Sequence, residues 1–396
     1  MKKKIIIIVC VLLVVMLIPR KKYLEDGGTV EYKSLLYKVS KVHKLSNEGY
    51  DVGTEIKILG IKIYDNVETV YNKKELKETK GVEVVPTLND EISKDTSWCP
   101  TFQLVWNDFK NDIVKEDIKF NEKLDILDNL NKEGFTKDDI SDNYYYKIYG
   151  RKNLELKNKI ESAIKEKFNQ KSDILDKFDW NPDALDSGEN IIDRYFLYSM
   201  LYREFEFNKK FDTFNDKFKD KENIEYFGII KDNGEIRKQI KVYYFNNSDD
   251  FAVKLVTKNN DEVIVIKNPK GETFDEIYKN VDNKKVYDFN DNDNFMMPKI
   301  DFNVLREYTE LQDKAIVTTK GVYTIEKAIQ SIMFSLDEKG GKVKSEAGMD
   351  VKYDTATIKK HRNFYVNDTF ALFLKEANKD KPYFALRVDD ISKFQQ

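Results

Sequence analysis

The chain is poor in the residues on which most small catalytic sites and disulfide scaffolds depend. Its 396 residues include only two cysteines and two histidines. Cys10 and Cys99 cannot build a disulfide framework, so stability must come from a hydrophobic core. His43 and His361 lie in different predicted parts of the chain and are too few for the usual triads and zinc sites. We therefore predict no catalytic residue, no metal and no cofactor.

The sequence also lacks an excess of charge of either sign. It has 67 basic and 70 acidic residues, a formal net charge of −3, with lysines spread among Asp and Glu along the chain. Such a surface offers no basic face, so we expect no nucleic acid partner. The 35% of charged and 13% of aromatic residues are typical of a folded body rather than of a disordered chain.

Two motifs that bind ions or phosphate are incomplete. The segment that begins at Asp288 opens like an EF-hand loop, but Asp293 stands where glycine is needed and Lys299 where glutamate is needed. The stretch Gly340-Gly341-Lys342 lacks the spacing of a phosphate-binding loop. We interpret the first as a solvated turn and find no enzyme motif.

The longest apolar run, Ile5 to Ile18, is short for a transmembrane helix. As a helix it would cover about 21 Å of a ~30 Å hydrocarbon core. That length suits a signal peptide. No small-residue cleavage site follows, and the flanking Lys and Arg favour an uncleaved anchor. We expect residues 1–25 to be a signal sequence or membrane anchor, in contact with the membrane through residues 5–18, and the rest to be extracytoplasmic, whether membrane-anchored or secreted.

Residues 26–95 show apolar alternation without any chemical motif. Strands are predicted over Glu31 to His43, Glu55 to Tyr64 and Val67 to Tyr71. We predict a small β-rich module that serves as a spacer or docking unit between the membrane and the body.

Helical and strand patterns follow one another in residues 96–396. The stripe from Phe102 to Phe109 predicts a helix, and the continuous apolar run Tyr195 to Asp212 predicts a strand buried in a large sheet. Lys241 to Lys267 predicts a three-stranded meander, and Phe274 to Asn280 predicts a short helix.

The last seventy or so residues contain strands separated by one long polar stretch. Ile332, Phe334 and Leu336 share one face of an extended strand that stops at the sequence Asp-Glu-Lys-Gly. Phe370, Leu372 and Leu374 repeat the alternation, and a turn then leads into a last strand.

The order of these pieces resembles the C-terminal end of serpins. In that family a buried strand closes on Asp337-Glu338-Lys339-Gly340, an exposed loop follows, and a Phe-rich hairpin ends the chain. Phe370, Phe384 and Arg387-Val388 keep the spacing of that hairpin. The run Tyr195 to Asp212 and the segment Met297 to Phe302 resemble two further serpin strands.

The resemblance covers about Trp98 to Asp390 and implies an α+β fold. The serpin-like domain, residues 96–396, would hold a large mixed or antiparallel sheet plus helices, preceded by the β-rich module and an N-terminal apolar helix. Its exposed loop, about 341–365, would be cut by a serine or cysteine protease and would then insert into the main sheet.

Insertion requires small side chains on one face of the segment that enters the sheet. The implied hinge residues are Glu338, Gly340, Gly341, Val343, Ser345 and Ala347. The loop length usual in serpins, counted from Gly340, implies a reactive bond among Tyr353, Asp354, Lys359 and Lys360.

Several positions depart from the family pattern. Gly341-Lys342 replaces Thr-Glu, Gln330 replaces a His, Tyr198-Ser199 replaces Asn-Ala, and Lys210 replaces a Pro. Two functions therefore stay open: a bacterial suicide protease inhibitor, and a non-inhibitory serpin-shaped surface protein that binds a protein partner.

Overall fold

The structure, a computed structural model, describes residues 17–23, 29–46, 49–65, 67–71, 78–180, 194–230, 234–282, 284–319, 321–341 and 362–395. The chain divides into two compact units, Met1–Leu76 and Lys77–Gln396. The sequence placed its boundary later, at residues 95 and 96. The difference arises because residues 83–85 form a strand of the largest sheet of the second unit.

The first unit contains a six-stranded antiparallel sheet. Its strands are β1 Arg20–Tyr23, β2 Val30–Lys33, β3 Tyr37–Ser46, β4 Gly49–Ile58, β5 Ile61–Asp65 and β6 Glu68–Tyr71. The order is β1-β2-β3-β4-β5, and β6 pairs with the first part of β4. Residues 20–23, which the sequence assigned to the anchor segment, thus pair with β2.

The predicted N-terminal apolar helix lies almost wholly outside the described residues, which begin at Leu17. Within the described ranges, no helix combines the length and the apolar character that a membrane crossing requires.

The second unit is mostly β-structure. Its described strands are β7 Glu83–Val85, β8 Thr96–Trp98, β9 Tyr145–Arg151, β10 Tyr195–Leu201, β11 Phe205–Glu206, β12 Asp212–Phe218, β13 Lys221–Gly228, β14 Ile240–Asn247, β15 Asp250–Val256, β16 Asp261–Lys267, β17 Tyr287–Asp288, β18 Asn294–Pro298, β19 Ile300–Glu307, β20 Ala315–Thr318, β21 Gly321–Thr324, β22 Ile329–Asp337, β23 Gly340–Gly341, β24 Asn363–Tyr365, β25 Phe370–Glu376 and β26 Pro382–Val388. This α+β arrangement of sheets and helices agrees with the predicted class of the body.

Helices connect and cover these strands. The α-helices are α1 Thr101–Asp108, α2 Asp125–Leu130, α3 Leu154–Phe168, α4 Gly234–Lys238 and α5 Phe274–Lys279. A π-helical turn, Phe109–Val114, continues α1. Short 3-10 turns occur at Lys137–Asp139, Leu175–Lys177, Thr309–Leu311 and Ile391–Lys393.

The eight-stranded sheet, in the order β17-β14-β15-β16-β25-β26-β8-β7, forms the centre of the core. The predicted meander is confirmed as β14, β15 and β16, and the predicted short helix is α5. Phe373 packs against Phe274 of α5, at 6.0 Å between ring centroids, on one face of the sheet. Phe384 packs against Phe334 of β22, at 4.5 Å, on the other face.

The sequence predicted an alternation in which Phe370, Leu372 and Leu374 share the buried face, but the residues between them are buried as well. All five residues from Phe370 to Leu374 are buried, because a helix covers one face of β25 and a second sheet covers the other. The hairpin itself is confirmed: Leu372 lies opposite Leu386, and Leu374 lies opposite Phe384.

The prediction of one strand over Tyr195 to Asp212 is wrong. The run divides into β10, β11 and the start of β12, and among the described strands β10 pairs only with β9. Between β10 and β11, the guanidinium of Arg203 donates to the buried Asp261 carboxylate at 2.6 and 2.8 Å and lies 4.1 Å from the Tyr144 ring.

The segment Met297 to Phe302 likewise belongs to two strands. It changes sheet at Lys299: β18 lies in the sheet β12-β13-β18-β24, and β19 lies in the sheet β11-β23-β22-β19.

Candidate functional site

The candidate site is the segment that carries the predicted loop, from β22 through a tight turn into β23. In β22 the side chains of Ile332, Phe334 and Leu336 are buried, and those between them are half-buried. The extended strand predicted from alternation is therefore confirmed. Its partner on one edge is β19, paired from Ile300 opposite Leu336 to Glu307 opposite Ile329.

The Asp-Glu-Lys-Gly sequence forms the turn after β22. The carboxylate of Asp337 accepts hydrogen bonds from the backbone N–H of Lys339 at 2.7 Å and of Gly340 at 3.3 Å. Burial raises the pKa of Asp337, and these two hydrogen bonds oppose that shift. Gly340 has φ of +148°, a left-handed conformation that L side chains rarely adopt.

The two glycines of the hinge sit between neighbouring strands. β23 pairs on one side with β22, Gly341 opposite Leu336, and on the other with β11, Gly341 opposite Phe205. A Cβ on Gly340 would lie 2.2 Å from the carbonyl oxygen of Phe205, and a Cβ on Gly341 would lie 2.6 Å from its ring. The Phe205 ring fills the space that a side chain at position 341 would need.

Further backbone hydrogen bonds connect the turn to the chain after β11. The N–H of Phe207 donates to the carbonyl of Lys339 at 2.7 Å, and the N–H of Phe211 donates to the carbonyl of Glu338 at 2.9 Å. Phe207 and Phe211 are each only 2% exposed, and their rings pack against one another at 5.0 Å. These contacts hold the start of the loop against a buried aromatic layer.

The side chain of Glu338 accepts from two lysines across the turn. Its carboxylate oxygens lie 3.2 Å from the Nζ of Lys299 and 3.4 Å from the Nζ of Lys210. Burial raises the pKa of this carboxyl, but its own backbone N–H and the two lysines outweigh burial and hold the pKa below its ordinary value. Lys210, a departure from the family's proline, is thus part of the turn's electrostatics. The sequence alone offered no sign of this pair.

Two strands, β22 and β10, each have one edge that the described strands leave wholly or mostly without a partner. On the edge of β22 away from β19, the described strands supply a partner only at Leu336 and Asp337, where β23 pairs. On the edge of β10 away from β9, the described part of the chain supplies none. At the hinge, β23 alone lies between β11 and β22, so these two strands are about two inter-strand spacings apart, roughly 9.6 Å.

Gln330 fixes the far end of β22. Its side-chain oxygen accepts from the hydroxyl of Tyr308 at 2.7 Å, and its amide donates to the carbonyl of Cys99 at 2.9 Å and to the hydroxyl of Thr101 at 3.0 Å. This amide therefore ties β22 to the segment that follows β19 and to the start of α1.

The other end of the predicted loop enters a different sheet. β24 pairs in parallel with β18, Asn363 opposite Asn294. Arg362 donates to both carboxylate oxygens of Asp293, at 3.0 and 2.5 Å. Asp293, the residue that disqualified the EF-hand reading, is 1% exposed and serves this ion pair.

The remaining predicted site residues lie outside the described residues. They are Val343, Ser345, Ala347, Tyr353, Asp354, Lys359 and Lys360. The structure brings Glu338, Gly340 and Gly341 together in the turn between β22 and β23, where the resemblance to serpins implies a hinge. Across the described ranges, no group of His, Cys, Asp and Glu side chains could hold a metal ion.

Neither a protein-family model nor a curated protein sequence matches the chain. Solved structures of serpins do match it. Serpin48 from the insect Tenebrio molitor matches at 14% identity and a TM-score of 0.38, covering 58% of this chain and 63% of its own. The thermophilic serpin tengpin matches at 17% identity and 0.36, covering 60% and 64%. Thyroxine-binding globulin, solved with thyroxine, matches at 11% identity and 0.37, covering 60% and 65%. This chain thus spans less than two thirds of each of these three proteins. All three structures match at low identity and with TM-scores below 0.4.

Proposed function

We propose that the chain is an extracytoplasmic serpin-like inhibitor whose loop, residues 342–361, is cut by a serine or cysteine protease and then adds a strand to the sheet that contains β22. One observation carries the proposal. The Gly340-Gly341 strand already lies between β11 and β22. Beyond it, the described strands add no further partner to the edge of β22 away from β19 or to the edge of β10 away from β9.

Extending the register of β23 gives the proposed strand a definite set of neighbours. Since Gly341 lies opposite Leu336, residue 343 would lie opposite Phe334 and residue 345 opposite Ile332. Residues directly opposite in an antiparallel pair share a face. The inserting residues would therefore face the same side as buried β22 side chains.

The composition of the loop supports this register. The inward set would be Val343, Ser345 and Ala347, all small, and the outward set would be Lys342, Lys344, Glu346 and Gly348, mostly charged. A one-residue slip would place three charged side chains in the core, so register and side-chain size agree.

Cleavage of the loop in the full chain, followed by thermal unfolding, tests the proposal. Insertion of a strand adds backbone hydrogen bonds and buried side chains, so the Tm of the cut chain should rise sharply above that of the intact chain. Ser345→Arg should abolish the rise, because a bulky charge would have to enter the buried face. The matched control is Lys344→Arg, which changes the outward face only and should keep the rise.

Inhibition is tested separately with a panel of serine and cysteine proteases. Cutting near Tyr353 points to an enzyme with an aromatic pocket, and cutting at Lys359 or Lys360 points to a trypsin-like enzyme. A matching protease should form a complex that survives boiling in detergent. A Tm that rises on cutting without any stable complex would reject inhibition, and no rise would reject insertion and favour the non-inhibitory binding protein.

The extracytoplasmic location has its own test. Protease added to intact cells should digest residues 77–396, whereas complete protection of that unit would reject the location.

A further inference from the structure

One end of the six-stranded sheet in the first unit presents large apolar side chains to solvent. Leu35 and Leu59 are each 71% exposed, Ile61 is 69% exposed and Ile58 is 44% exposed. Leu35 lies in the turn between β2 and β3, and the others lie in or beside the turn between β4 and β5. The N–H of Leu59 donates to the carbonyl of Leu36 at 2.8 Å, which holds these two turns side by side. We call these four side chains the apolar end.

The backbone conformation of the β4–β5 turn is unfavourable for a leucine. Leu59 has φ of +50° and Gly60 has φ of +84°. Two-residue turns of this kind favour Asn-Gly or Asp-Gly, and a leucine there is strained. A strained position that is also exposed to water would ordinarily carry a polar residue, so the leucine at 59 calls for an apolar contact.

A row of basic residues crosses the sheet directly behind the apolar end. Arg20 lies opposite Lys33, Lys33 opposite Lys38, Lys38 opposite Lys57, and Lys57 opposite Lys62. Residues directly opposite share a face, so all five cations lie on one face of five successive strands. Like charges in direct opposition destabilise a sheet, and such a row therefore needs compensating anions.

The compensation within the sheet is incomplete. Lys38 pairs with Glu31, Lys57 with Glu55 at 2.8 Å, and Lys62 with Asp65 at 2.5 Å. Over the described ranges, no ion pair involves Arg20 or Lys33. Anionic groups from outside the chain would complete the row.

The apolar run of the N-terminus reaches the sheet at this same end. β1 begins at Arg20, which lies opposite Lys33, the residue next to the β2–β3 turn. Just before it, Leu17 is 48% exposed and Ile18 is 62% exposed. Leu17 and Ile18, the last two residues of the apolar run, therefore precede β1 at the apolar end and not at the opposite end.

We propose that this end of the first unit docks onto a lipid bilayer that contains anionic lipids. The apolar end enters the boundary between headgroups and acyl chains, and the basic row, about one residue behind it, meets the lipid phosphates. Interfacial protein segments bury apolar side chains to roughly 5–10 Å, and each Lys or Arg near an anionic surface adds attraction. The apolar end and the basic row belong to the first unit, and the proposal does not depend on inhibition.

A second copy of the chain is the less suitable occupant. Two copies joined end to end through the apolar side chains would bring their basic rows towards each other, and like charges repel. A bilayer offers the apolar layer and the anions in the order in which the sheet presents their partners.

An environment-sensitive fluorophore on the full-length chain tests the proposal. Cys10→Ser removes one thiol, and Cys99 is buried with its pKa raised to about 12, so neither reacts with the label. The probe, NBD, is attached through Leu59→Cys. The control carries it through Val322→Cys, whose native side chain is 65% exposed in the second unit. With vesicles of phosphatidylcholine and phosphatidylserine, NBD at 59 should shift to the blue and be quenched by shallow spin-labelled lipids, whereas NBD at 322 should not.

A second pair of variants tests the basic row. Arg20→Gln with Lys33→Gln should weaken partitioning into the anionic vesicles by roughly fivefold for each cation removed and should leave partitioning into pure phosphatidylcholine unchanged. Lys123→Gln with Lys238→Gln, at side chains that are 80% and 72% exposed in the second unit, is the matched control and should have no effect.

Three results would overturn the proposal. NBD at 59 that stays in water while the chain floats with vesicles would assign binding to the apolar run alone. A blue shift that grows with protein concentration without lipid would assign the surface to a second copy. Equal loss of partitioning for both double variants would remove any role of the row. An unchanged Tm for each variant excludes misfolding as the cause.

Discussion

The two chain segments that flank the loop are stabilised in opposite ways. After the loop, the hairpin β25–β26 lies in the middle of the eight-stranded sheet, and all five residues from Phe370 to Leu374 are buried. Before the loop, the turn from Asp337 to Gly341 owes its position to close backbone contacts, two hydrogen bonds to a carboxylate and two lysines. The hairpin is fixed by the burial of apolar side chains, which is a non-directional interaction. The hinge is fixed by a few directional contacts.

The difference teaches where this chain can rearrange. If the hairpin moved, its buried side chains would lose apolar contacts that no other surface would replace. The hairpin should therefore stay in place in every functional state. Hydrogen bonds and ion pairs can be exchanged for others, so the proposed insertion of a strand would begin at the hinge.

The hairpin should give the largest loss of stability. Phe370→Ala and Phe384→Ala each remove a buried ring, at 0% and 4% exposure, and should each lower the free energy of unfolding by about 3–5 kcal/mol. Chemical unfolding measures the loss. Val322→Ala, at an exposed site, is the control and should change little. Losses below about 1 kcal/mol at both phenylalanines would mean that the hairpin is not core.

A buried ion pair connects the two regions and should come next. Asp261, whose side chain is fully buried, accepts from Arg203 beside β11 and from the hydroxyl of Tyr383 in β26, the latter at 2.9 Å. Asp261→Ala leaves the guanidinium without its carboxylate and should cost about 3 kcal/mol. Asp288→Ala removes a carboxylate that is 86% exposed and paired with Lys241, and it should cost almost nothing. Equal effects of the two variants would contradict the link.

The glycines should show how closely the hinge backbone is packed. Gly340→Ala places a Cβ at 2.2 Å from a backbone oxygen and should cost about 2 kcal/mol or more, measured by chemical unfolding. Gly321→Ala is a matched control, because its φ of +144° is nearly the same and nothing lies within 4 Å of its Cβ. The difference between the two variants isolates the close approach of β11. No difference would mean that β11 yields without cost.

The ion pairs of the hinge should give the smallest effect, and it should depend on pH. Because the folded-state pKa of Glu338 lies below its ordinary 4.5, its contribution is complete above that pH and is lost as the pH falls through the lowered value. Glu338→Gln should therefore cost about 1 kcal/mol at pH 7 and progressively less in acid. Glu222→Gln, in an exposed pair with Lys217, is the control. A cost that does not change with pH would assign the effect to packing.

Much of the body could be predicted from periodicity. The strands of the meander, the short helix Phe274–Lys279 and the strand before the loop lie where alternation and helical spacing placed them. In each case one side chain after another meets a continuous apolar surface, which is the situation that a periodic pattern reports.

The remaining features depend on contacts that are distant along the chain. Nothing near Arg203 in the sequence shows that it will pair with a carboxylate fifty-eight residues later. The need for glycine at 341 arises from the Phe205 ring, and the two-sided burial of β25 arises from a helix and a sheet that precede it. The sequence assigned the hinge from a family resemblance and supplied no reason for its glycines or for Lys210.

The position of the hairpin also sets an order of folding. β25 pairs with β16 and β26 pairs with β8, so residues 385–387 must reach residues 96–98 before the largest sheet is continuous. Contacts so far apart along the chain form slowly, because the intervening loop must first be closed. Until the last strands arrive, β16 and β8 expose unpaired edges that invite association with other chains. Aggregation should therefore compete with folding until residues 363–388 have paired.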